Sequence, residues 1–358
     1  MKVGIIGGGQ LGQMMALAAY PLAIKVICLE KNAVHSPAGQ VTETLEGEYT
    51  DTSKIAELAR LVDVITYEFE NINPAILASV AKKVPIYPPL EAVKTAQDRI
   101  LEKTFFQDSG IPTPAFAAVQ SEDELKQATK TMGLPGVLKT CRLGYDGKGQ
   151  CVIRSTADIS AAWETLKNQA LIYEQFISFE REVSLIAVRS MDGEIAFYPL
   201  TENVHHEGIL RTSFAPYEND HLQTQAENYV THLLTHLKYV GVLAVEFFVK
   251  DNQLLANEMA PRVHNSGHWT IEGADISQFE NHIRAVCGLP LGSTKARGFS
   301  MMINLIGDHP SLRTLLQFKA AHIHLYGKTP RPQRKIGHIT ICADTKDQLL
   351  ATYKTLPF

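Results

Sequence analysis

Residues 144–150 read GYDGKGQ, three glycines in seven positions, with Lys139 just upstream and short apolar runs at 137–140 and 150–153 on either side. Glycines let backbone N–H groups come close to an anion. Seven residues, with YD and K among them, also exceed what a tight hairpin needs. Far downstream, Glu246 is embedded in VLAVEFFV and Glu258 in LLANEMA. Unpaired charges in such runs are costly. Two carboxylates that share a Mg²⁺ ion with phosphate oxygens remove that cost. Any fold for this chain must therefore bring the glycine loop, Lys139, Glu246 and Asn257-Glu258 to one place. The chemistry expected there is a nucleotide triphosphate site, built without a GxxxxGK[ST] loop, which the sequence lacks.

The N-terminal third reads as strands alternating with helices: strands at 3–6, 25–29 and 62–67, and helices at 14–19 and 51–61, the second capped by Asp51. That alternation implies a parallel sheet with ligands at the carboxyl ends of its strands. Pro85, Pro88 and Pro89 mark a break near residue 90. Beyond it, helices are expected at 98–109, 122–132, 157–167, 226–237 and 277–286. Strands are expected at 137–140, 150–153, 172–177, 182–188 and 195–199. Segments 242–249 and 254–258 form a hairpin around Asp251-Asn252. Strands rich in basic residues follow, from 328 to 338. Soft boundaries fall near 95 and 295, giving units 1–95, 96–295 and 296–358. At 358 residues the chain has ample length for such a division.

A net charge of −4 gives no support for broad nucleic-acid binding. No apolar run approaches the ~20 residues needed to cross a bilayer, and the first residues carry no secretory pattern. Five cysteines, Cys28, Cys141, Cys151, Cys287 and Cys342, form no CxxC. They read as reduced packing thiols in a cytoplasmic protein.

Four further patterns carry chemistry. Gly7-Gly8-Gly9-Gln10-Leu11-Gly12 fits GxGxxG between a strand and a helix, and Glu30 lies 18 residues past Gly12. Alone, this fits a dinucleotide, another phosphorylated ligand at a helix N-terminus, or a structural turn. Glu174-Gln175-Phe176-Ile177 and Glu182 follow an apolar strand, which suits an adenine edge and ribose hydroxyls, or an ordinary amphipathic strand. Residues 262–269, RVHNSGHW, are dense in polar donors and suit anionic intermediates. Its two histidines lack a third ligand for zinc. Lys328, Arg331, Arg334, Lys335 and His338 form a basic cluster that suits a substrate phosphate or a solvated face. For the glutamate pair the register is open: a three-residue hairpin loop puts Glu246 opposite Glu258, and a two-residue loop puts it opposite Asn257.

In order and spacing, these pieces resemble the ATP-grasp superfamily, and within it the 5-(carboxyamino)imidazole ribonucleotide synthetases of purine biosynthesis. The matching segments are GGGQLGQM (7–14), YEFEN (67–71), KTAQDR (94–99), LKTCRLGYDGKGQ (138–150), EQFISFEREVS (174–184), NVHHEGIL (203–210), NEMAPRVHNSGHWTIEG (257–273), SQFENH (277–282) and YGKTPRPQRKIGH (326–338). Lys148 and Gln13 stand where the family often has arginine.

The resemblance implies α/β and α+β architecture: a Rossmann-like N-terminal domain, a central ATP-grasp domain and a small β-rich C-terminal domain, assembled as a homodimer in the cytoplasm. The N-terminal glycine loop would then bind no dinucleotide and would help form the ribonucleotide pocket. By matching motif, ATP would meet Arg99, Lys139, Gly144, Tyr145, Asp146, Gly147, Lys148, Gly149, Gln150, Glu174, Gln175, Phe176, Ile177, Glu182, His205, Asn257 and Glu258. Glu246 and Glu258 would bind Mg²⁺, with Mn²⁺ an alternative. The 5-aminoimidazole ribonucleotide would meet Gln10, Leu11, Glu70, Tyr145, Lys148, Lys328, Arg334 and Lys335. Arg262, His264 and Asn265 would sit where bicarbonate becomes carboxyphosphate. Asp146, Arg262 and Lys328 would be the catalytic groups, Asp146 by orienting or deprotonating the substrate amine. The rival readings are a formate-dependent glycinamide ribonucleotide transformylase, an NAD-dependent oxidoreductase and a nucleotide-binding regulator without activity.

Overall fold

The computed structural model describes residues 1–144 and 148–356. The N-terminal strands Lys2–Ile6, Lys25–Glu30, Glu43–Glu46 and Val64–Tyr67 form one parallel sheet, in which Lys2–Ile6 lies between Lys25–Glu30 and Val64–Tyr67. Continuous apolar runs make Lys2–Ile6, Lys25–Glu30 and Val64–Tyr67, as expected of parallel strands covered on both faces, while Glu43–Glu46 (ETLE) is a polar edge strand. Helix Thr52–Leu61 covers one face with Ile55 and Leu58. Its cap is Asp51, whose carboxylate accepts from Ser53 N and Lys54 N, a device worth about 1 kcal/mol. Helix Gln10–Ala19 buries Leu11, Met14 and Met15 against Phe279 and Ile283 of helix Gln278–Val286, fixing the N-terminal unit on the central one.

Residues 116–175 build a small antiparallel sheet, with Phe116–Val119 beside Leu171–Gln175, then Gly136–Thr140, then Gln150–Ile153. Helices Glu122–Met132 and Ile159–Leu166 pack on it around Leu125, Leu138 and Tyr173. The 144–150 segment lies between its last two strands, and Gln150 at its end is paired with Lys139.

The largest sheet has nine strands and runs through two of the expected units. Strands Gln253–Ala260, Gly241–Lys250, Arg181–Arg189, Thr201–His206 and Ile209–Ala215 lie side by side. Strand Phe299–Ile306 then pairs with Ile209–Ala215, and Lys335–Ala343 and Ala321–Leu325 continue outward. Along Gly241–Lys250, Leu243, Val245, Phe247 and Val249 face a core under helix Asp220–His236. Val242 and Ala244 face the opposite core. Farther along that second face come Glu246 and Phe248, where the sheet opens into a cleft.

Four expectations need correction. The helix expected at 226–237 begins six residues earlier, at Asp220, because Asn219 caps it by accepting from Leu222 N. The strand expected at 172–177 ends at Gln175. The basic strand expected at 328–338 begins only at Lys335, since Pro330 and Pro332 cannot donate to a ladder. The glutamate hairpin has a two-residue turn, Asp251-Asn252, with both φ near +50° (50° and 55°), yet Glu246 is paired with Glu258. A β-bulge reconciles the two: Phe247 pairs with Ala256 and Glu246 with Glu258, so Asn257 is the extra residue.

Candidate active site

The carboxyl end of the N-terminal sheet, the small sheet and the large sheet enclose a cleft of about 730 Å³. Consecutive residues of an unbroken strand point to opposite faces. The bulge at Asn257 lets both Asn257 and Glu258 line the cleft, together with Glu246. The register question is thus settled for Glu258 opposite Glu246, with Asn257 on the cleft side as the bulge residue. Two carboxylates face each other across adjacent strands. Burial first, and Glu258 second, push the Glu246 carboxyl well above its usual range. A proton or a cation between them relieves that cost. Among the described residues no group of three or more His, Cys, Asp or Glu side chains could hold a metal alone. The pair thus suits an ion that takes its remaining ligands from a phosphate, as Mg²⁺ does.

The second wall is helix Arg99–Asp108, started by Asp98, which accepts from Ile100 N and Leu101 N. Positions 99, 102 and 103 share one face of it. Arg99 donates to Gly144 O (3.3 Å), and its Nη2 lies 3.9 Å from Glu258 Oε2. Glu102 accepts from Met259 N (2.6 Å), and burial raises its carboxyl pKa. Lys103 is only 1% exposed; its Nζ lies 3.4 Å from Glu174 Oε2 and donates to Asn257 O (3.2 Å). Lys139, from the small sheet, donates to the same Glu174 oxygen (2.8 Å). Burial alone would raise the Glu174 carboxyl, but Lys139 and Lys103 outweigh it and hold it at about 2. One carboxylate and two ammonium groups thus leave a net positive corner at the mouth of the glycine loop.

Gln150, Lys148 and Gly144 line the cleft on that side, as do Gln175, Phe176 and Ile177 just beyond the strand holding Glu174. Gly149 does not; its carbonyl accepts from Thr140 N (2.8 Å). Tyr145, Asp146 and Gly147 lie outside the described residues. Glu182 and His205 line the far side, with Glu182 Oε2 2.9 Å from His205 Nδ1. Burial lowers the His205 pKa, but Glu182 and Glu246 outweigh it and raise it.

Arg262, His264 and Asn265 form the floor next to Glu246. Arg262 Nε donates to Glu70 Oε2 (2.5 Å) and Arg262 Nη1 to Val263 O (3.1 Å). Burial works to raise the Glu70 carboxyl, but Arg262 prevails and keeps it below its usual range. His264 Nε2 lies 3.8 Å from Glu246 Oε1, and burial, then Arg262, keeps that ring neutral. The Asn265 carboxamide is buried with no partner for either polar atom among the described residues. It offers a donor and an acceptor on a residue that lines the cleft.

Gln10, Leu11 and Lys335 also line the cleft; Lys328 and Arg334 do not. Lys328 donates to Gln10 Oε1, so it acts on the rim through that residue. Burial lowers the Lys328 pKa to about 8. Arg334 donates to Thr329 O.

The GxGxxG loop already holds an anion of the chain's own. Glu68 Oε1 accepts from Gly9 N (2.5 Å) and Glu68 Oε2 from Gly12 N (2.7 Å), while Glu30 Oε2 accepts from Gly8 N (2.8 Å) and from Tyr49 OH (2.6 Å). A Cβ on Gly9 would sit 2.7 Å from Glu68 Oε1, and one on Gly7, where φ is +106°, 2.3 Å from Glu68 Cγ. The glycines make room for a carboxylate. Neither the helix N-terminus nor Glu30 is left for a dinucleotide, which removes that reading.

Sequence reasoning missed Glu68, Glu102 and Lys103. A clue existed for the last two: Arg99, Glu102 and Lys103 at i, i+3 and i+4 form a stripe. Such a stripe ordinarily marks a solvated face, and here it faces the large sheet.

Comparison with known proteins agrees with this geometry. Residues 1–97 match the ribonucleotide synthetase preATP-grasp domain, 104–279 the ATP-grasp domain and 300–352 the phosphoribosylaminoimidazole carboxylase C-terminal domain. The N5-carboxyaminoimidazole ribonucleotide synthase of Pseudomonas aeruginosa is 50% identical over 345 residues, covering 96% of this chain and 95% of that protein. The crystal structure of the N5-carboxyaminoimidazole ribonucleotide synthetase of Thermus thermophilus superimposes with a TM-score of 0.94 at 48% identity, over 99% of both chains. That of the Aspergillus clavatus N5-carboxyaminoimidazole synthase, in complex with ADP and 5-aminoimidazole ribonucleotide, gives 0.92 at 32% identity, over 99% of this chain and 96% of that one. The chain belongs to the N5-carboxyaminoimidazole ribonucleotide synthase family of ATP-grasp proteins.

Proposed function

We propose that this chain is an ATP-dependent carbon–nitrogen ligase that carboxylates the exocyclic amine of 5-aminoimidazole ribonucleotide with bicarbonate. The products are N5-carboxyaminoimidazole ribonucleotide, ADP and phosphate, and the setting is purine biosynthesis. The observation that carries the reading is the facing pair Glu246 and Glu258, set between the Lys139–Glu174–Lys103 corner and the Arg262–His264–Asn265 floor. Nucleotide chemistry is supplied on one side of the pair, and anion recognition on the other.

On this reading Lys139 and Arg99 hold the triphosphate, the 174–177 segment and Glu182 receive adenosine, and His205 and Asn257 close the site. Glu246 and Glu258 would hold Mg²⁺, which, when bound, neutralises phosphate charge. A bicarbonate oxygen attacks the γ-phosphorus and ADP leaves, giving carboxyphosphate. The substrate amine then takes the carboxyl group as CO₂, releasing phosphate and a proton. Arg262 and Asn265 stabilise the oxyanions. Glu70 keeps the Arg262 guanidinium in place. Gln10, Leu11 and Lys335 receive the ribonucleotide, with Lys328 behind Gln10 and Arg334 near its phosphate. Asp146 remains assigned to the amine. The family resemblance further supports a homodimer, work in the cytoplasm and units divided near residues 95 and 295. No helix among the described residues is long and apolar enough to cross a membrane.

The test is ADP release with Mg-ATP and bicarbonate, with and without 5-aminoimidazole ribonucleotide. Strong stimulation by the ribonucleotide, lost in Glu258→Gln, is the expected result. Stimulation by formate with glycinamide ribonucleotide instead would overturn the substrate assignment and leave the nucleotide site standing.

A further inference from the structure

Behind the floor of the cleft, four side chains form an unbroken hydrogen-bonded file. Ser213 Oγ donates to Asn203 Oδ1 (2.8 Å), Asn203 Nδ2 to Ser184 Oγ (2.9 Å), and Ser184 Oγ to Ser266 Oγ (2.8 Å). Ser266 Oγ then lies 2.9 Å from His264 Nδ1. Ser184, Ser213 and Ser266 are fully buried and Asn203 is 5% exposed. The large sheet sets this spacing: Asn203 is paired with Ser213 across one ladder, and Ser184 with Glu246 across another.

The file has a direction. A hydroxyl has one proton to give, and a carboxamide nitrogen only donates. Ser184 accepts from Asn203 and gives its proton to Ser266, so Ser266 keeps its own proton for His264 Nδ1. Turning the Asn203 carboxamide over would reverse every bond. The backbone breaks that symmetry, because Ser266 N–H also donates to His264 Nδ1 (3.3 Å), and a peptide N–H cannot be reversed. Two donors converge on Nδ1, which must be unprotonated. The single proton of the neutral ring is then on Nε2, the atom nearer Glu246.

We propose that Ser266, backed by Ser184, Asn203 and Ser213, is a positioning residue that holds His264 as the Nε2–H tautomer. His264 is thereby a hydrogen-bond donor to an oxygen in the cleft and not a general base. The oxygen's identity, on bicarbonate or its phosphorylated form, rests on the ligase reading; the tautomer does not. A donor fixed before the ligand arrives needs no reorganisation when oxyanion charge develops.

The experiment uses the full chain with ¹⁵N-labelled histidine. Long-range proton–nitrogen correlation at neutral pH, without ligand, reports each ring's protonated nitrogen, and the loss of one pattern in His264→Gln assigns it. The expected pattern is one tautomer with the proton on Nε2. Protonation at Nδ1, or a mixture of tautomers, overturns the proposal. Ser266→Ala is expected to produce the mixture and to lower kcat about 10–100-fold, the scale on which partners that orient a histidine act at metal sites, with KM for ATP unchanged. Ser266→Thr, which keeps the hydroxyl, should restore the single tautomer and most of kcat. If Ser266→Ala does not fold, Ser184→Ala removes the donor that orients Ser266 and gives the same readout. A fall in kcat with the tautomer unchanged would mean a merely structural role and refutes the assignment. A wild-type ring in the expected tautomer, in a protein without ligase turnover, would refute the ligase reading alone.

Discussion

Two buried imidazoles each make a contribution to stability that is lost as pH falls below the usual histidine range. His282 is fully buried: Val242 N donates to its Nδ1 (3.1 Å) and its Nε2 lies 2.8 Å from Thr66 Oγ1, which ties the central unit to the N-terminal sheet. His268 is 1% exposed, and neither ring nitrogen has a partner among the described residues. Burial lowers both from 6.5 to about 3, with His324 and Lys335 adding to the effect at His268. In the unfolded chain each ring titrates near its usual value. The native state therefore binds fewer protons below pH ~6.5, and stability falls as pH drops from there toward about 3. Between pH 7 and pH 5 the loss is about 2 kcal/mol for each ring. Against a typical total of 5–15 kcal/mol, that is a large fraction. Carboxyls whose native pKa is raised by burial, Glu102 and Glu246 among them, act with the opposite sign in this window. The informative quantity is therefore the difference between proteins. Urea unfolding of wild type and His268→Leu at pH 7, 6 and 5 supplies it. The variant should lose about 2 kcal/mol less than wild type across that range. Parallel pH profiles would refute the reasoning, because they would mean that the ring contributes no proton linkage.

Lys103→Met removes one of the two cations on Glu174 and strips a donor from Asn257 O. A charge-assisted hydrogen bond worth about 1.5–3 kcal/mol predicts KM for ATP raised about 10–100-fold, measured under steady-state conditions with the ribonucleotide saturating; an unchanged KM for ATP would sink this role. Glu68→Ala leaves the Gly9 and Gly12 amides without their acceptor and should cost about 1–3 kcal/mol in thermal or urea unfolding. KM for the ribonucleotide should rise while that for ATP holds, and NADH should not shift the melting temperature of wild type. Glu246→Gln removes a charge that burial and Glu258 both oppose. It should raise Tm without ligands while abolishing Mg-ATP-dependent turnover, so a lower Tm would show that the facing pair is not under electrostatic strain.

What the sequence disclosed and what it hid divide along one physical line. Local devices were legible. The apolar runs of the N-terminal strands, the Asp51 cap and the 278–286 helix each depend on a few neighbouring residues. So was the order of polar motifs that brings Lys139, Glu174, Glu246 and Glu258 to one cleft. Pro330 and Pro332 in KTPRP were equally local and argue against a strand there; the basic residues around them drew attention to charge rather than backbone. Three other features could not be read locally, because the deciding partner lies far along the chain. The hairpin turn is two residues long, and counting from it alone pairs Glu246 with Asn257; only the bulge restores Glu258 while keeping Asn257 on the same side. The stripe Arg99–Glu102–Lys103 has the pattern of a wet helix face, and becomes a buried one because Asn257 O and Glu174 come to meet it. The GxGxxG loop has the sequence of a ligand site, and its anion is Glu68, about sixty residues later. A glycine loop records that something negatively charged comes close. It does not record whether that charge arrives in solution or is already part of the fold. Gly9 and Gly12 accordingly predict a stability defect in the ligand-free protein on loss of Glu68, where a loop kept open for a dinucleotide would have predicted none. The two outcomes separate in one unfolding experiment.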